Sequence, residues 1–328
     1  MTGHYIVEQP GGADALRWID TQPQPLQPNQ VRIEHTAIGL NYIDVYHRSG
    51  VYPLPMPSRL GVEAAGRIVE IGSDVTRVGV GDRVAYALAM GAYGTTNQVP
   101  ENAVVELPDS ITDETAAGCL LKGLTASYLL RKTFAVSAGD TILVHAAAGG
   151  VGLILCQWAK HLGARVIGTV GSTAKAELAQ ASGADHTILY DEEDVVARVR
   201  ELTDNQGVPV VYDSVGAATY ERSLGCLAPL GMFVSYGNAS GKVESVDPQD
   251  LASAGSLFFT RPSLAAYANP LSALDDLADS LFGVIASGSV KIHIKQRYAL
   301  SDLAQAHVDL EARTTTGSTV LLPAFTAD

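Results

Sequence analysis

The stretch LVHAAAGGVGLILCQWAKHLGARVIGTVGSTAK, residues 143–175, decides the fold of this 328-residue chain. It begins with an apolar, strand-like run, turns on small residues, continues as an apolar helix and ends in a second apolar run. A strand, a tight turn and a helix are the parts of a βαβ unit, in which two parallel strands are joined through a helix. The stretch therefore predicts a parallel sheet covered by helices.

The turn follows the pattern Ala146-x-x-Gly149-x-x-Gly152, which between a strand and a helix is typical of a dinucleotide-binding turn. The small first residue permits the tight turn, Gly149 lets the backbone approach a pyrophosphate, and Gly152 lets the helix pack closely on the strand. The helix N-terminus adds N–H donors and a positive dipole end. Because Ala146 replaces the usual glycine, an ordinary strand–helix turn is the alternative, and the context favours dinucleotide binding.

The end of the second strand distinguishes between the two nicotinamide dinucleotides. An NAD site normally has Asp or Glu there to bind both ribose hydroxyls, whereas this chain has Gly171, Ser172 and Thr173, followed by Lys175. A carboxylate would repel a 2′-phosphate, while a glycine leaves room, hydroxyls form hydrogen bonds and an ammonium neutralises charge. These residues predict NADPH rather than NADH. The alternative is that Lys175 only solvates the next helix.

The pattern of strand-like and helix-like segments divides the chain into three parts. Residues 1–122 contain many short strands separated by turn-rich segments, which is typical of a small β-barrel. Residues 123–262 alternate six strand-like runs with helices, which predicts a doubly wound parallel sheet. Residues 263–328 carry a long helix, Leu271 to Ser287, and two more strand-like runs. The predicted fold class is α/β, with a β-barrel domain and a Rossmann domain.

Composition limits the classes of function. The 35 acidic and 22 basic residues give a net charge of −13, which disfavours binding to nucleic acid or to an anionic membrane. Three separated cysteines form no C-x-x-C pair, so neither a disulfide framework nor a cysteine-rich zinc site is expected. The N-terminal residues show no signal-peptide pattern, so the cytoplasm is the expected compartment.

Further stretches carry a family resemblance: LNYIDVYHRSGVYPLP (40–55), GVEAAGRIVEIG (61–72) and LKGLTASYLLRKT (121–133). Together with HAAAGGVGLILCQWAK, VVYDSVG and TRPSL, they resemble the zinc-free quinone oxidoreductases of the medium-chain dehydrogenase/reductases, and in particular the bacterial relatives of zeta-crystallin. The resemblance covers nearly the whole chain. It implies a GroES-like barrel as catalytic domain, an inserted Rossmann domain and a C-terminal segment that returns to the barrel. It also implies NADPH-dependent quinone reduction and a homodimer joined through the edges of the Rossmann sheets.

Departures from the related zinc alcohol dehydrogenases imply chemistry without a metal. Those enzymes carry zinc ligands at the positions of Asn41, Val62 and Leu121, and none of these three residues is a usual zinc ligand. A quinone suits such a site because it accepts two electrons readily and its oxygens need only hydrogen bonds or solvent protons. Hydride transfer is the chemistry of the nicotinamide, which the protein must orient and shield from water.

The resemblance assigns the remaining site residues. Those expected to face or border the acceptor are Asn41, Tyr46, Tyr52 and Arg261. Those expected near the nicotinamide are Tyr42, Ile43, Asp44, Lys122 and Thr125, the last two at the start of the first Rossmann helix. Those expected to contact phosphates or adenosine, or to line the carboxyl edge of the sheet, are Gly150, Val151, Tyr190, Ser214, Gly237, Asn238, Ser240, Phe259, Thr260 and Arg313. Packing of the barrel by tyrosines and turn formation by Gly and Asn are the alternative interpretations.

Two other functions stay open at this point. A reductase of enones or enoyl thioesters also needs NADPH and no metal, but requires a larger pocket and a proton donor near the substrate α-carbon. The second is a cofactor-binding structural or RNA-associated protein of the zeta-crystallin type. The net charge of −13 and the lack of a basic stripe disfavour RNA.

Overall fold

A computed structural model describes residues 2–323 of the chain. Its strands are β1 (Gly3–Val7), β2 (Arg17–Asp20), β3 (Gln30–Leu40), β4 (Ser58–Arg59), β5 (Glu63–Ile71), β6 (Arg83–Ala87), β7 (Thr96–Pro100), β8 (Val104–Glu106), β9 (Thr141–Val144), β10 (Arg165–Val170), β11 (His186–Leu189), β12 (Val208–Asp213), β13 (Leu227–Ser235), β14 (Phe258–Thr260), β15 (Ile294–Ala299) and β16 (Ser318–Leu322).

The α-helices are α1 (Tyr42–Ser49), α2 (Asp113–Tyr128), α3 (Gly150–His161), α4 (Thr173–Ala181), α5 (Val195–Leu202), α6 (Tyr220–Cys226), α7 (Pro248–Ser253), α8 (Leu264–Tyr267), α9 (Leu271–Ala286) and α10 (Leu303–Glu311). Short 3₁₀ turns are Ala13–Ala15, Glu101–Ala103 and Leu300–Asp302, and a π-helical turn, Leu129–Thr133, continues α2. Among the helices of residues 2–323, none is both long and apolar enough to cross a lipid bilayer.

One compact unit, the Rossmann unit, comprises Gly123–Asn269 and Gly283–Lys291. Its six strands are all parallel and lie in the order β11-β10-β9-β12-β13-β14. The chain thus starts in the middle of the sheet, moves to one edge, returns and moves to the other edge, which is the strand order of dinucleotide-binding doubly wound sheets. The central strands are mostly buried, with Ile142 and Val210 wholly inaccessible, because helices cover parallel sheets on both faces. The predicted doubly wound parallel sheet is confirmed.

The start of β13 differs from the sequence expectation. The pattern TYERSLGCLAPL (219–230) predicts a helix as far as Leu230, but α6 ends at Cys226 and β13 begins at once. Pro229 disfavours a helical backbone in the residue before it, and Leu227 pairs with Val208 of the neighbouring strand β12. Pairing with a distant strand therefore overrides the local helical pattern.

The other unit, the barrel unit, comprises the chain up to Lys122, Pro270–Phe282 and the chain from Ile292. A seven-stranded sheet runs in the order β15-β16-β3-β5-β6-β8, with β7 also paired to β3, and a three-stranded sheet runs β2-β1-β4. All of these pairs are antiparallel except β15 with β16. Their apolar side chains, such as Ile33 and Ile68, form one buried core.

All three cysteines, Cys119, Cys156 and Cys226, are buried free thiols. Burial raises the pKa of Cys156 and of Cys226 to about 12, and it raises the pKa of Cys119 as well. The thiols therefore stay protonated at neutral pH.

Candidate active site

The glycine turn joins β9 to α3 at the carboxyl edge of the parallel sheet. Ala146 has a φ of +52°, in the left-handed region that ordinary residues seldom adopt. A Cβ on Gly152 would collide with the carbonyl oxygen of Ala146, so only glycine lets α3 pack against the turn. A Cβ on Gly149 would meet one atom, that same oxygen, at 3.2 Å, so the other side of this residue is open to a ligand. Gly150 and Val151 form the first turn of α3, where backbone N–H groups lack helical partners.

The residues predicted at the adenosine end lie together after β10. Gly171 and Ser172 follow that strand, and α4 begins at Thr173. The Ser172 hydroxyl accepts a hydrogen bond from the backbone N–H of Lys175 at 3.4 Å and so caps the helix. A Cβ on Gly171 would collide with the hydroxyl of Tyr190, so this phenol lies over Gly171. The first turn of α4 contains neither Asp nor Glu, so no carboxylate of this turn would repel an anion placed there.

The remaining predicted residues of the Rossmann unit follow β12, β13 and β14 at the same edge. The carbonyl oxygen of Ser214 accepts from the N–H of Ala239 at 3.2 Å, and the Ser240 hydroxyl donates to the carbonyl oxygen of Val215 at 2.8 Å. The loops after β12 and β13 therefore support each other. The residues that the structure places in these loops or at the end of β14 are Ser214, Gly237, Asn238, Ser240, Phe259, Thr260 and Arg261. The guanidinium of Arg261 donates to the carbonyl oxygen of Ser235 at 3.0 Å.

In the barrel unit, three predicted tyrosines form one aromatic cluster. The ring centroids are 5.4 Å apart for Tyr42 and Tyr46, and 5.0 Å apart for Tyr46 and Tyr52. Tyr42 and Tyr46 are four residues apart on α1, so they lie on the same face of the helix, and Ile43 between them is partly exposed. Burial raises the pKa of Tyr42, while the guanidinium of Arg313 hydrogen-bonds its hydroxyl and opposes that shift.

Asn41, Glu63 and Lys122 form a buried ion cluster in the same unit. The Lys122 ammonium donates to Asn41 Oδ1 at 2.7 Å and lies 3.5 Å from Glu63 Oε2. Asn41 Nδ2 donates to Glu63 Oε2 at 2.7 Å, and the backbone N–H of Leu121 donates to Glu63 Oε1 at 2.7 Å. Burial raises the pKa of Glu63, and the nearby ammonium opposes this shift. The cluster therefore fixes the carboxamide of Asn41, with its oxygen towards a cation and its nitrogen towards an anion.

Asp44 is fully buried and fixes the N-terminus of α1. Its Oδ2 accepts from the backbone N–H of Asn41 at 2.9 Å and from the Tyr93 hydroxyl at 2.7 Å. Burial raises the pKa of Asp44 to about 7, although both hydrogen bonds act in the opposite direction. The structure thus gives Asp44 a capping role, and its contact with the nicotinamide stays a prediction.

The expectation that Lys122 and Thr125 begin a helix is wrong. Helix α2 begins at Asp113, nine residues before Lys122, and both residues lie inside it. The Thr112 hydroxyl accepts the backbone N–H of Thr115 at 3.1 Å, which is the capping bond of a helix start. Thr125 hydrogen-bonds the hydroxyl of Tyr128 in the next turn.

Sequence reasoning missed Glu63 and Tyr93, which hold the predicted residues Asn41 and Asp44 in place. A signal for Glu63 was present, because it is a carboxylate inside the apolar, strand-like run GVEAAG. A charged residue in such a strand is almost never buried without a partner. Tyr93 gave no comparable signal, since buried tyrosines are common in cores.

Comparison with known proteins identifies the families and relatives that this chain matches. Residues 27–133 match the family described as Alcohol dehydrogenase GroES-like domain, and residues 150–268 match Zinc-binding dehydrogenase. A quinone oxidoreductase from Pseudomonas aeruginosa is 54% identical over 315 residues, which cover 95% of this chain and 97% of that protein. A 2-haloacrylate reductase from a Burkholderia species is 42% identical over 326 residues, covering 97% and 98%.

A solved structure agrees with this relationship. The Escherichia coli quinone oxidoreductase complexed with NADPH superposes with a TM-score of 0.96 at 46% identity, covering 98% of this chain and 100% of that one. The predicted fold class, a GroES-like barrel domain with a Rossmann sheet, is therefore confirmed. On the strength of its sheet order, its glycine turn and these relatives, the chain belongs to the quinone oxidoreductase family of the medium-chain dehydrogenase/reductases.

Proposed function

We propose that this protein is an NADPH-dependent quinone reductase. The observation that carries the proposal is the adenosine end of the candidate site, where Gly171, Ser172, Lys175 and Tyr190 lie together at the N-terminus of α4. The positive end of the helix dipole, the lysine and the hydroxyls favour a phosphate there. The E. coli relative, solved in complex with NADPH, supports the same cofactor for this chain.

The glycine turn is the proposed site of the pyrophosphate. The open side of Gly149 accommodates the phosphates, and the backbone N–H groups of Gly150 and Val151 at the start of α3 donate to them. A cofactor bound in this way would supply a hydride from its nicotinamide, and the protein would supply the orientation. We assign Tyr42, Ile43, Asp44, Lys122 and Thr125 to the nicotinamide end as a proposal, and Arg313 to a phosphate.

We assign the acceptor contacts to Asn41, Tyr46, Tyr52 and Arg261. The aromatic cluster offers flat faces on which a planar quinone stacks, and its phenols are hydrogen-bond donors for the quinone oxygens. Asn41 keeps one orientation because Lys122 and Glu63 hold both ends of its carboxamide. Such a fixed polar group aligns a substrate without having to reorganise first.

We further propose that the reaction needs no zinc, although one of the matching families is described as zinc-binding. The carboxylate of Glu63 and the amide oxygen of Asn41 already bind the ammonium of Lys122, which would repel a metal cation. Val62 is an apolar, buried neighbour of Glu63 and offers no ligand atom. Within residues 2–323, no three His, Cys, Asp or Glu side chains come close enough together to hold a metal ion.

Lys175→Ala tests the cofactor assignment. The consumption of NADPH and NADH with a simple quinone is followed at 340 nm, at several cofactor concentrations. Loss of a charge-assisted contact to the 2′-phosphate is expected to lower kcat/KM for NADPH by about tenfold or more and to leave the value for NADH unchanged. Lys160→Ala is the control, since Lys160 is a surface lysine of the same unit that pairs with Asp185. An unchanged preference in the Lys175 variant contradicts the assignment.

An activated-alkene reductase is the second candidate function. It is favoured by the 2-haloacrylate reductase that is 42% identical to this chain, and it requires the same cofactor. A panel of graded quinones, simple enones and 2-haloacrylates under identical conditions separates the two. Faster turnover of the alkenes than of every quinone would replace the first proposal by the second.

We propose a homodimer that forms through the free edge of β14. This strand is the last of the six-stranded sheet, and Phe258 on it is 57% exposed. An exposed strand edge with an apolar side chain is suited to pairing with a second copy. We also propose a cytoplasmic location, which the three free thiols support, because disulfides are rare in reducing compartments.

A further inference from the structure

A buried chain of hydrogen bonds crosses the carboxyl ends of β10, β9 and β12. His145 follows β9, with its Nδ1 2.8 Å from the Thr169 hydroxyl of β10 and its Nε2 3.1 Å from the Ser223 hydroxyl of α6. Ser223 in turn donates to Oδ2 of Asp213, the last residue of β12, at 2.8 Å. None of the four residues is more than 1% exposed. No cofactor or substrate contact has been assigned to any of them.

The direction of each bond in this chain follows from its acceptor end. The Asp213 carboxylate only accepts, so the Ser223 hydroxyl donates to it and itself accepts from His145 Nε2–H. Nδ1 of His145 is then the acceptor for the Thr169 hydroxyl. Burial lowers the pKa of His145, in agreement with the neutral ring that this arrangement requires. The order also differs from a nucleophilic triad, where the histidine lies between the serine and the aspartate.

Two of these residues, Asp213 and Thr169, also bond to turns proposed to bind the cofactor. Asp213 Oδ1 accepts from the backbone N–H groups of Val215 at 2.7 Å and Gly216 at 3.0 Å, which shapes the loop after β12. The backbone N–H of Ala147 donates to the carbonyl oxygen of Thr169 at 3.1 Å, which ties the glycine turn to β10.

Ala146 lies between these attachments with its φ of +52°. Its neighbour His145 is held by both its backbone N–H, which donates to the Tyr212 carbonyl oxygen at 3.0 Å, and its ring. A strained backbone conformation of this kind persists only where its surroundings fix it. The ring of His145, bonded to Thr169 and Ser223, fixes the residue that directly precedes Ala146.

We propose that Thr169, His145, Ser223 and Asp213 are positioning residues that hold the three cofactor-binding turns in register. Through them, the turns after β9, β10 and β12 present their N–H groups to the cofactor phosphates in one fixed arrangement. The inference rests on the proposed function, since the ligand it serves is NADPH.

The matched pair Thr169→Val and Thr169→Ser tests the proposal. Valine keeps the volume of threonine and removes the hydroxyl, whereas serine keeps the hydroxyl and removes a buried methyl group. NADPH affinity is measured by isothermal titration calorimetry, thermal stability by melting, and KM and kcat with a quinone. The valine variant is expected to bind NADPH about tenfold more weakly, with KM for NADPH raised and kcat at saturation within about twofold. The serine variant is expected to bind like the wild type, although it melts at a lower temperature.

Ser223→Ala is the second variant, with Val199→Ala as its control, because Val199 is a buried core residue of the same unit. Ser223→Ala is expected to weaken NADPH binding about tenfold. Val199→Ala is expected to lower stability and to leave NADPH affinity unchanged. Equal NADPH affinity in both Thr169 variants, or weaker binding in the serine variant, would overturn the positioning role. Wild-type protein that does not bind NADPH would instead overturn the proposed function.

Discussion

At the scale of single residues, the cluster of Asn41, Glu63 and Lys122 places opposite charges in the interior of the barrel unit. It contains an ammonium and a carboxylate away from water, and each is tolerated only because of the other. Removing one of the two charges should therefore lower the stability of the protein more than removing both.

Lys122→Met is expected to lower the free energy of unfolding by about 3–5 kcal/mol, because it leaves Glu63 as an unpaired buried carboxylate. Adding Glu63→Gln to the same protein should recover part of this loss by removing the charge. Urea unfolding measures both values. Arg198→Met, which breaks the exposed pair with Glu201, is the control and should change stability by less than about 1 kcal/mol. A Lys122 variant as stable as this control would show that the cluster carries no such energy.

Ala146 gives a second prediction at this scale. The left-handed conformation raises the free energy of the folded state by roughly 1–2 kcal/mol for an alanine, and a glycine avoids this cost. Part of the gain is lost because a glycine makes the unfolded chain more flexible. Ala146→Gly is therefore expected to stabilise the protein by up to about 1 kcal/mol and to leave NADPH affinity within about twofold. Ala147→Gly, next to it and without a positive φ, should be destabilising. The same sign for both variants in thermal melts would exclude strain at Ala146.

At the scale of elements, the N-terminus of α1 depends on a carboxyl group whose charge changes near neutral pH. Asp44 has a pKa of about 7 in the fold, raised from 3.8, with Tyr93, Glu63 and Lys122 as its neighbours. The folded protein therefore holds the proton of Asp44 more tightly than the unfolded chain does. Its contribution to stability is full below about pH 4 and is lost as the pH rises to about 7.

Each pH unit in that window should remove about 1.4 kcal/mol from this contribution. Asp44→Asn cannot titrate, so the stability of the wild type relative to this variant should fall from pH 4 to pH 7. Unfolding in urea at four pH values measures the difference. Parallel stability curves for the two proteins would contradict the raised pKa.

The elements predicted correctly are those whose signal is local. The sequence predicts β9, α3 and β10 because apolar stretches alternate there with glycine turns. It also predicts that Gly171 and Lys175 lie near the end of β10, because they follow this strand closely in the chain. The end of α6 cannot be predicted from the local pattern. Leu227 joins β13 because it pairs with Val208 of β12, some twenty residues earlier in the chain. Likewise Asn41 and Lys122 lie 81 residues apart in the chain, and one sequence does not reveal which distant charges meet in the fold.

At the scale of the whole molecule, the edge of the parallel sheet predicts the oligomeric state. Phe258→Lys adds a charge at the exposed end of β14 and should convert the proposed dimer to a monomer in sedimentation velocity, with an unchanged circular dichroism spectrum. Val80→Lys is the control, because Val80 is an apolar residue of the barrel unit that is 63% exposed, slightly more than Phe258. A Phe258 variant that still sediments as a dimer would exclude this edge as the interface.

The burial of Cys119, Cys156 and Cys226 has a chemical consequence for an enzyme of quinones. Quinones are electrophiles that arylate thiolates, and a thiol reacts only when it is exposed and deprotonated. All three thiols are buried, and burial raises the pKa of each, so that they are neither exposed nor deprotonated at neutral pH. Intact mass spectrometry after incubation with benzoquinone should therefore show no cysteine adduct on the folded protein and adducts after unfolding. As a quinone reductase, the activity proposed above, the protein would keep its thiols from reacting with its own substrates.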